Sequence, residues 1–182
     1  PLPLPNLESN IVCGNTLIDE FEGVKLINES DLLNTLSEET QFNLNQGRFD
    51  SILKELIEVQ DEMFKCDSTE KKQALKKEIA SLRNMIIMSQ LYGCDEEKIQ
   101  RYQNTLLMAS KPYVLWQLDF AKVFKEKGGF DIVIGNPPYL GFHKVPNKDY
   151  HKEHYYSANG KYDFYVLFIE KGLNILNKKG LI

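Results

Sequence analysis

The stretch Phe130-Asp131-Ile132-Val133-Ile134-Gly135-Asn136-Pro137-Pro138-Tyr139 decides how the rest of the 182-residue chain is read. Ile132-Val133-Ile134 is an unbroken β-branched run, the pattern of a strand buried on both faces of a parallel sheet. A loop of one asparagine, two prolines and a tyrosine follows at once. In open α/β sheets ligands bind beyond the carboxyl ends of the strands, which is where this loop falls. Each proline fixes φ and removes a backbone donor. What remains is a stiff loop rich in acceptors, chiefly the Asn136 side-chain oxygen and the Pro137 carbonyl. Two acceptors aimed at the hydrogens of a planar amine bind it and draw it toward tetrahedral geometry. Its lone pair is then free to attack an electrophile. Tyr139 supplies a ring to stack on a flat heterocycle. Neither a metal nor a strong base is required, because the amine sheds its proton once it has become cationic.

Working outward, the sequence keeps an α/β rhythm. Lys125-Glu126-Lys127-Gly128-Gly129 reads as a polar turn before the strand, preceded by Trp116-Gln117-Leu118-Asp119-Phe120 and Val123-Phe124. On the other side, Phe164, Tyr165, Leu167, Phe168, Ile169, Leu173 and Leu176 form a broad helical stripe over about 163–177. Lys178-Lys179-Gly180 reads as its basic end and C′ glycine, and Leu181-Ile182 as the start of a further strand. Near the N-terminus, Asn10-Ile11-Val12-Cys13 reads as a short buried strand that turns at Gly14-Asn15. The order of strands and helices predicts an α/β fold with a parallel sheet.

The middle of the chain differs. No proline occurs between Pro5 and Pro112. A first helix is predicted from about Arg48 to Lys65, after a loop at Asn45-Gln46-Gly47, with Ile52, Leu53, Leu56, Val59 and Met63 inward. Asp67 and Glu70 look like a capping box for a second helix, with Leu75, Ile79, Leu82, Met85, Ile86 and Leu91 buried. Asp95 is the N-cap of a third, whose stripe is Ile99, Tyr102, Leu106 and Leu107. Two long helices with a tight connection form an antiparallel hairpin. Its function is read as packing or spacing, against the alternative of a partner-binding arm.

Composition bounds the classes. Hydrophobic residues make up 42% and charged residues 26%, so collagen-like and globally disordered chains are excluded. No apolar stretch approaches the roughly 18–20 residues that span a bilayer. Cys13, Cys66 and Cys94 are odd in number and widely spaced, which argues against a disulfide framework and for a reducing, cytoplasmic setting; each reads as a small buried hydrophobe. The formal charge of −4 hides a gradient: residues 1–47 carry one basic residue and eight acidic ones, residues 143–182 seven basic and four acidic. His151 and His154, with Glu153 between them, lack a third ligand and read as part of a solvated loop. Lys144, Lys148, Lys152 and Lys161, interleaved with Tyr150, Tyr155 and Tyr156, are candidates for contact with a DNA backbone, against an ordinary surface loop.

Residues 131–139 resemble the catalytic motif of amino-methyltransferases that use S-adenosylmethionine. Asn10 to Ile18, the stretch from Trp116 through Phe130, and Gly160-Lys161-Tyr162-Asp163-Phe164-Tyr165-Val166-Leu167-Phe168-Ile169-Glu170 resemble DNA adenine-N6 methyltransferases of the type IIG restriction–modification group. The resemblance implies a partial Rossmann-like methyltransferase sheet, residues 1–27 and 113–182, interrupted by a helical insertion at 28–112. It implies that Asn136 and Pro137 bind the amine of a flipped adenine in double-stranded DNA and that Tyr139 stacks on the base. Pro138 and Phe168 are implied to touch the adenine of the cofactor, S-adenosylmethionine. Asn15 stands where relatives often have an acidic residue at the cofactor's adenine amine; its amide oxygen can accept the same bond without the charge.

The glycine-rich cofactor loop and the acidic residue for the cofactor ribose have no counterpart in the sequence. On this reading the 182 residues are an internal fragment of a larger enzyme, expected to be inactive alone and to self-associate through exposed strand edges. Two alternatives stay open. The same loop serves methyltransferases of a protein glutamine amide, which also presents a planar NH₂. A helical interaction module is the other.

Overall fold

The computed structural model describes residues 10–27 and 44–182. The proline-rich start and most of the acidic N-terminal quarter lie outside them. The chain divides into two compact units, Pro1–Lys125 and Glu126–Ile182.

In the first unit, residues 10–15 are extended and meet Lys111 in a single parallel bridge at Gly14. Lys111 N–H donates to the Cys13 carbonyl and Asn15 N–H to the Lys111 carbonyl, both at 3.0 Å. The pairing matches the expected strand, but the burial does not. Ile11 is 72% exposed, and Cys13 is exposed too. Among the described residues this bridge is the segment's strand pairing, too short to enclose it. Glycine is required at position 14, where a Cβ would lie 2.5 Å from the Tyr113 carbonyl oxygen. A hairpin follows, β1 (Glu20–Phe21) and β2 (Val24–Lys25). Glu22 and Gly23, both at positive φ, form the kind of two-residue turn that matches strand twist. Both nitrogens of the Arg101 fork, Nε and Nη2, donate to the Glu22 carboxylate at 2.8 Å.

Helices α1 (Leu44–Lys65) and α2 (Thr69–Gln90) are joined by three residues and pack on each other as an antiparallel hairpin. Asn45-Gln46-Gly47, expected as a loop, is already the first turn of α1. The cap of α2 is Ser68, not Asp67: its hydroxyl accepts from Lys71 N–H. Met85 is 42% exposed, while Ile87 is buried instead. The core extends along the flank that carries Ile87 and Leu91, so the buried stripe is rolled to that side. Asp95 caps α3 (Glu96–Thr105) as expected, accepting from Lys98 N–H at 2.7 Å. Leu106 and Leu107 do not continue its stripe; Leu107 is 88% exposed. The helix stops before them because Lys111 Nζ collects the carbonyls of Thr105, Leu106 and Met108, a lysine cap on a helix C-terminus.

One hydrophobic core runs from Phe21, Leu26 and Ile27 through both long helices to Tyr102, Tyr113, Leu115, Leu118 and Ala121. The last four belong to the segment around α4 (Trp116–Asp119) and the start of α5 (Ala121–Lys127). Polar groups lock the same joint. Arg83 reaches the buried Asp119 carboxylate at 2.6 Å. Gln60 donates to the Leu118 and Asp119 carbonyls, and Lys122 pairs with Asp61. Cys66 and Cys94 are half-buried against this core rather than inside it.

The second unit holds a parallel pair. Strand β3 (Phe130–Ile132) pairs with β4 (Leu176–Leu181), with Phe130 opposite Leu176 and Ile132 opposite Leu181. Helix α7 (Phe164–Ile175) is the connection into β4. The fold is therefore mixed α/β, mostly helical, with small sheets. The parallel direction agrees with the sequence, but burial on both faces does not: Ile132 is 61% and Ile134 91% exposed. Among the described residues β3 has a strand neighbour on one side only. The helix also ends earlier than the periodicity implies, at Ile175, and the strand begins at Leu176. Asn177 explains this. Its amide donates to Asp131 Oδ1 and its oxygen accepts from Lys179 N–H, so Lys178 and Lys179 are taken up in a bulge of the strand. Gly180 is not a helix C′ residue but a point of close approach, where a Cβ would lie 2.9 Å from the Phe130 carbonyl oxygen.

Between β3 and α7 lies helix α6 (Lys148–His154). The histidines expected in a solvated loop are on this helix. His151 is 1% exposed, among the rings of Tyr150, Tyr155 and Phe164. His154 is exposed and stacks on Tyr150, with ring centroids 4.2 Å apart. Among the described residues no helix is long and apolar enough to cross a membrane.

Candidate active site

The loop Asn136–Tyr139 leaves the carboxyl end of β3, whose last pairing bond runs from Val133 N–H to the Leu181 carbonyl at 2.9 Å. Asn136 and Pro138 are exposed, Pro137 is partly covered, and the Tyr139 ring is 84% exposed. Among the described residues the Asn136 amide and the Pro137 carbonyl engage in no hydrogen bond. Their acceptor capacity is thus open to a ligand. The loop is nonetheless fixed. Leu140 N–H folds back onto the Pro138 carbonyl at 3.0 Å, and the Leu140 carbonyl accepts from Phe164 N–H at 2.8 Å. That second bond attaches the end of the loop to the first turn of α7 and uses one of the amide donors every helix N-terminus leaves unpaired. All peptide bonds of the described residues are trans, so Pro137 and Pro138 act through their fixed φ and their missing N–H groups.

Asp131, just before the loop, is held by Lys127 and Asn177, which lower its carboxyl below the usual range. It is a strand-fixing residue here, because both its oxygens face those partners.

Phe168 stands one turn after Phe164 on α7 and packs edge-on against it, with centroids 5.2 Å apart. It is half-buried, so part of its ring belongs to the core and part is open. Asn15 lies in the first unit. Its Oδ1 accepts from Leu17 N–H at 3.1 Å, an Asx turn that fixes the side chain on its own loop. An amide oxygen has two lone pairs, so this bond leaves one acceptor site on Asn15. The Trp116 indole N–H donates to the neighbouring Thr16 carbonyl at 3.3 Å, which ties the Asn15 turn to a residue 100 positions away. The structure thus brings Asn136, Pro137, Pro138 and Tyr139 together with the α7 helix that carries Phe168.

One residue escaped the sequence reading. Glu170, on α7, receives the consecutive N–H groups of Tyr156 and Ser157 at 2.9 and 2.8 Å. Burial alone would raise its carboxyl, but the donors at Ser157 and Tyr156 outweigh that and hold it below the usual range. The available signal was a carboxylate directly after the six-residue apolar run Phe164–Ile169. Such a group on a packed helix needs partners.

The model of the Eco57I restriction-modification methylase family matches residues 6–182. The chain belongs to that family. Among curated relatives, a protein described as a type II restriction enzyme and methyltransferase from Methanocaldococcus jannaschii is 25% identical over 98% of this chain and 18% of its own length. The type II methyltransferase M.BstVI of Geobacillus stearothermophilus is 31% identical over 50% of the chain and 16% of its own length. The type II restriction enzyme and methyltransferase RM.Eco57I of Escherichia coli is 38% identical over 29% of the chain and 6% of its own length. The chain therefore spans less than a fifth of each of these relatives. No solved structure matches it significantly. Within this methylase family, the matched span includes the Asn136–Tyr139 loop, α7 and the whole helical hairpin.

Proposed function

We propose that this chain is the catalytic segment of a DNA methyltransferase of a restriction–modification system, transferring a methyl group from S-adenosylmethionine to adenine N6. The observation that carries the reading is the pair of open acceptors, Asn136 and Pro137, on a rigid loop at the carboxyl end of a parallel strand. An exocyclic adenine amine offers two N–H donors in one plane. Accepting both orients the amine and favours the pyramidal form whose lone pair is available. Preorganised hydrogen-bonding groups of this kind act without reorganising as charge develops. Tyr139 is 84% exposed on the same loop, which leaves its ring free to stack on a base withdrawn from the duplex. S-adenosylmethionine supplies an electrophilic methyl group. Within the second unit the residues that suit its adenine are Pro138 and the open part of Phe168; Asn15, in the first unit, keeps one acceptor site of its own.

The domain reading draws support from the pairing of distant segments. Cys13 and Asn15 are hydrogen-bonded to Lys111, so the chain returns to its starting point after the helices. This supports a catalytic domain formed by 1–27 and 113–182, with 28–112 as an insertion that leaves and re-enters beside one strand.

The test is methyl transfer by the full-length protein from labelled S-adenosylmethionine, offered duplex DNA in one arm and a glutamine-containing protein substrate in the other. N6-methyladenine in the DNA is the expected product. Methylation of the protein arm alone would overturn the substrate assignment, and methylcytosine would overturn the position.

A further inference from the structure

The 23 residues between Leu140 and Phe164 form an excursion that is fastened twice to α7. Its base is closed by the bond from Phe164 N–H to the Leu140 carbonyl. Its middle is gripped by Glu170, whose two oxygens each take one of two successive N–H groups, at Tyr156 and Ser157. Bonds from donors to an ionised carboxylate are about twice as strong as neutral ones. The backbone just before the grip is fixed as well. Tyr155 is buried against His151, and its N–H donates to the His151 carbonyl at 2.8 Å. Ala158, just after, is also buried.

Tyr156 sits in the middle of this clamped turn, yet its ring is 96% exposed. The fold draws no packing energy from it. A rigid backbone under a fully exposed aromatic side chain loses little conformational freedom when it binds, which is the condition for an efficient contact. Lys152 and Lys161, both exposed, flank it in sequence. Exposed aromatic rings among basic residues suit nucleic acid, which they meet by stacking or through phosphate oxygens.

We propose that Glu170 is a positioning residue for substrate: it fixes the Tyr156–Ser157 turn so that Tyr156 contacts the DNA strand next to the catalytic loop. The inference rests on the DNA-methyltransferase reading and adds a contact and its support to it. Glu170 itself touches neither the base nor the methyl donor. Glu170→Gln tests the grip, because an amide has only one acceptor oxygen for two N–H groups. Tyr156→Ala removes the ring from a site where the core does not depend on it.

In the full-length protein, each variant should raise the KM for duplex DNA about tenfold, an effect within the range of one aromatic contact to a base. The kcat should stay within about twofold, since the Leu140–Phe164 fastening is intact. The double variant should be no worse than the weaker single one, because both changes remove the same contact. Lower thermal stability in Glu170→Gln with unchanged KM would overturn the proposal, as would an additive double variant. An unchanged KM in Tyr156→Ala would overturn it even if Glu170→Gln fails to fold. Failure of the unsubstituted protein to methylate DNA would remove the DNA reading on which the proposal stands, and is read in the same assay before any variant.

Discussion

The two units differ in how they treat their apolar residues. In the first, Leu53, Leu56, Leu82, Ile86, Leu91, Tyr102 and Leu118 are enclosed by the unit's own helices, and a buried Arg83–Asp119 pair locks the joint. In the second, the parallel strands and α7 leave Ile132, Ile134, Leu173, Leu181 and Ile182 more than half exposed, while a polar side chain, His151, is inside. Stability and chemistry are thus unevenly shared. The helical unit encloses one continuous core of its own, although Ile11, Tyr92 and Leu107 stay exposed. The unit with the candidate catalytic loop spends rigidity locally, on fastening a few acceptors and one turn.

The largest test of this contrast is Asn136→Ala in the full-length protein. Losing one preorganised group at the reacting centre costs on the order of 10²–10³ in rate. The side chain is exposed and makes no bond among the described residues, so thermal unfolding should not move. A matching fall in stability would show that the loop is structural. Asp119→Ala should do the reverse. It strands Arg83 at a buried joint, and breaking such a pair costs about 3 kcal/mol, the low end of the usual range because Arg83 keeps some contact with water. Denaturant unfolding of the chain measures it; an unchanged midpoint would mean that the joint is not locked by charge. Gly14→Ala comes next, at about 1–3 kcal/mol, since the added carbon overlaps the Tyr113 carbonyl and the backbone must shift.

The smallest effect is a pH dependence confined to the second unit. Burial, opposed by the Pro146 carbonyl and reinforced by His154, lowers the proton affinity of His151. The unfolded chain then takes up a proton below about pH 6.5 that the native ring resists. Native stability should fall as the pH drops below that point, with the loss complete once the native ring is protonated too. His151→Phe should flatten this slope between pH 7.5 and 5 relative to the parent chain. A slope that survives the substitution would assign it to other groups.

Local signals were legible wherever one residue type and its neighbours suffice. The Asp95 cap, the end of α1 at Lys65, the hairpin of long helices and the strand–loop order at Asn136 all follow from short-range pattern. The turn at Gly14-Asn15 was legible too, because its chemistry is contained in two residues. Wherever the sequence leaves a choice of flank or partner, it was silent or misled. Met85 and Ile87 are hydrophobes on either side of Ile86, and only the direction in which the core continues decides which is buried. Leu106 and Leu107 fit a helical stripe until Lys111, several residues later, caps the helix before them.

The sequence by itself determined the family and the acceptor-rich loop, since each is written in contiguous residues. Only the tertiary structure decided that Asn177 bonds Asp131 and so turns a helix end into a strand. It alone buried His151 among three rings. It alone joined Glu170 to two amides 13 and 14 residues before it. Hydrogen bonds of that kind depend on where the chain returns in space, and spacing along the chain does not encode that return.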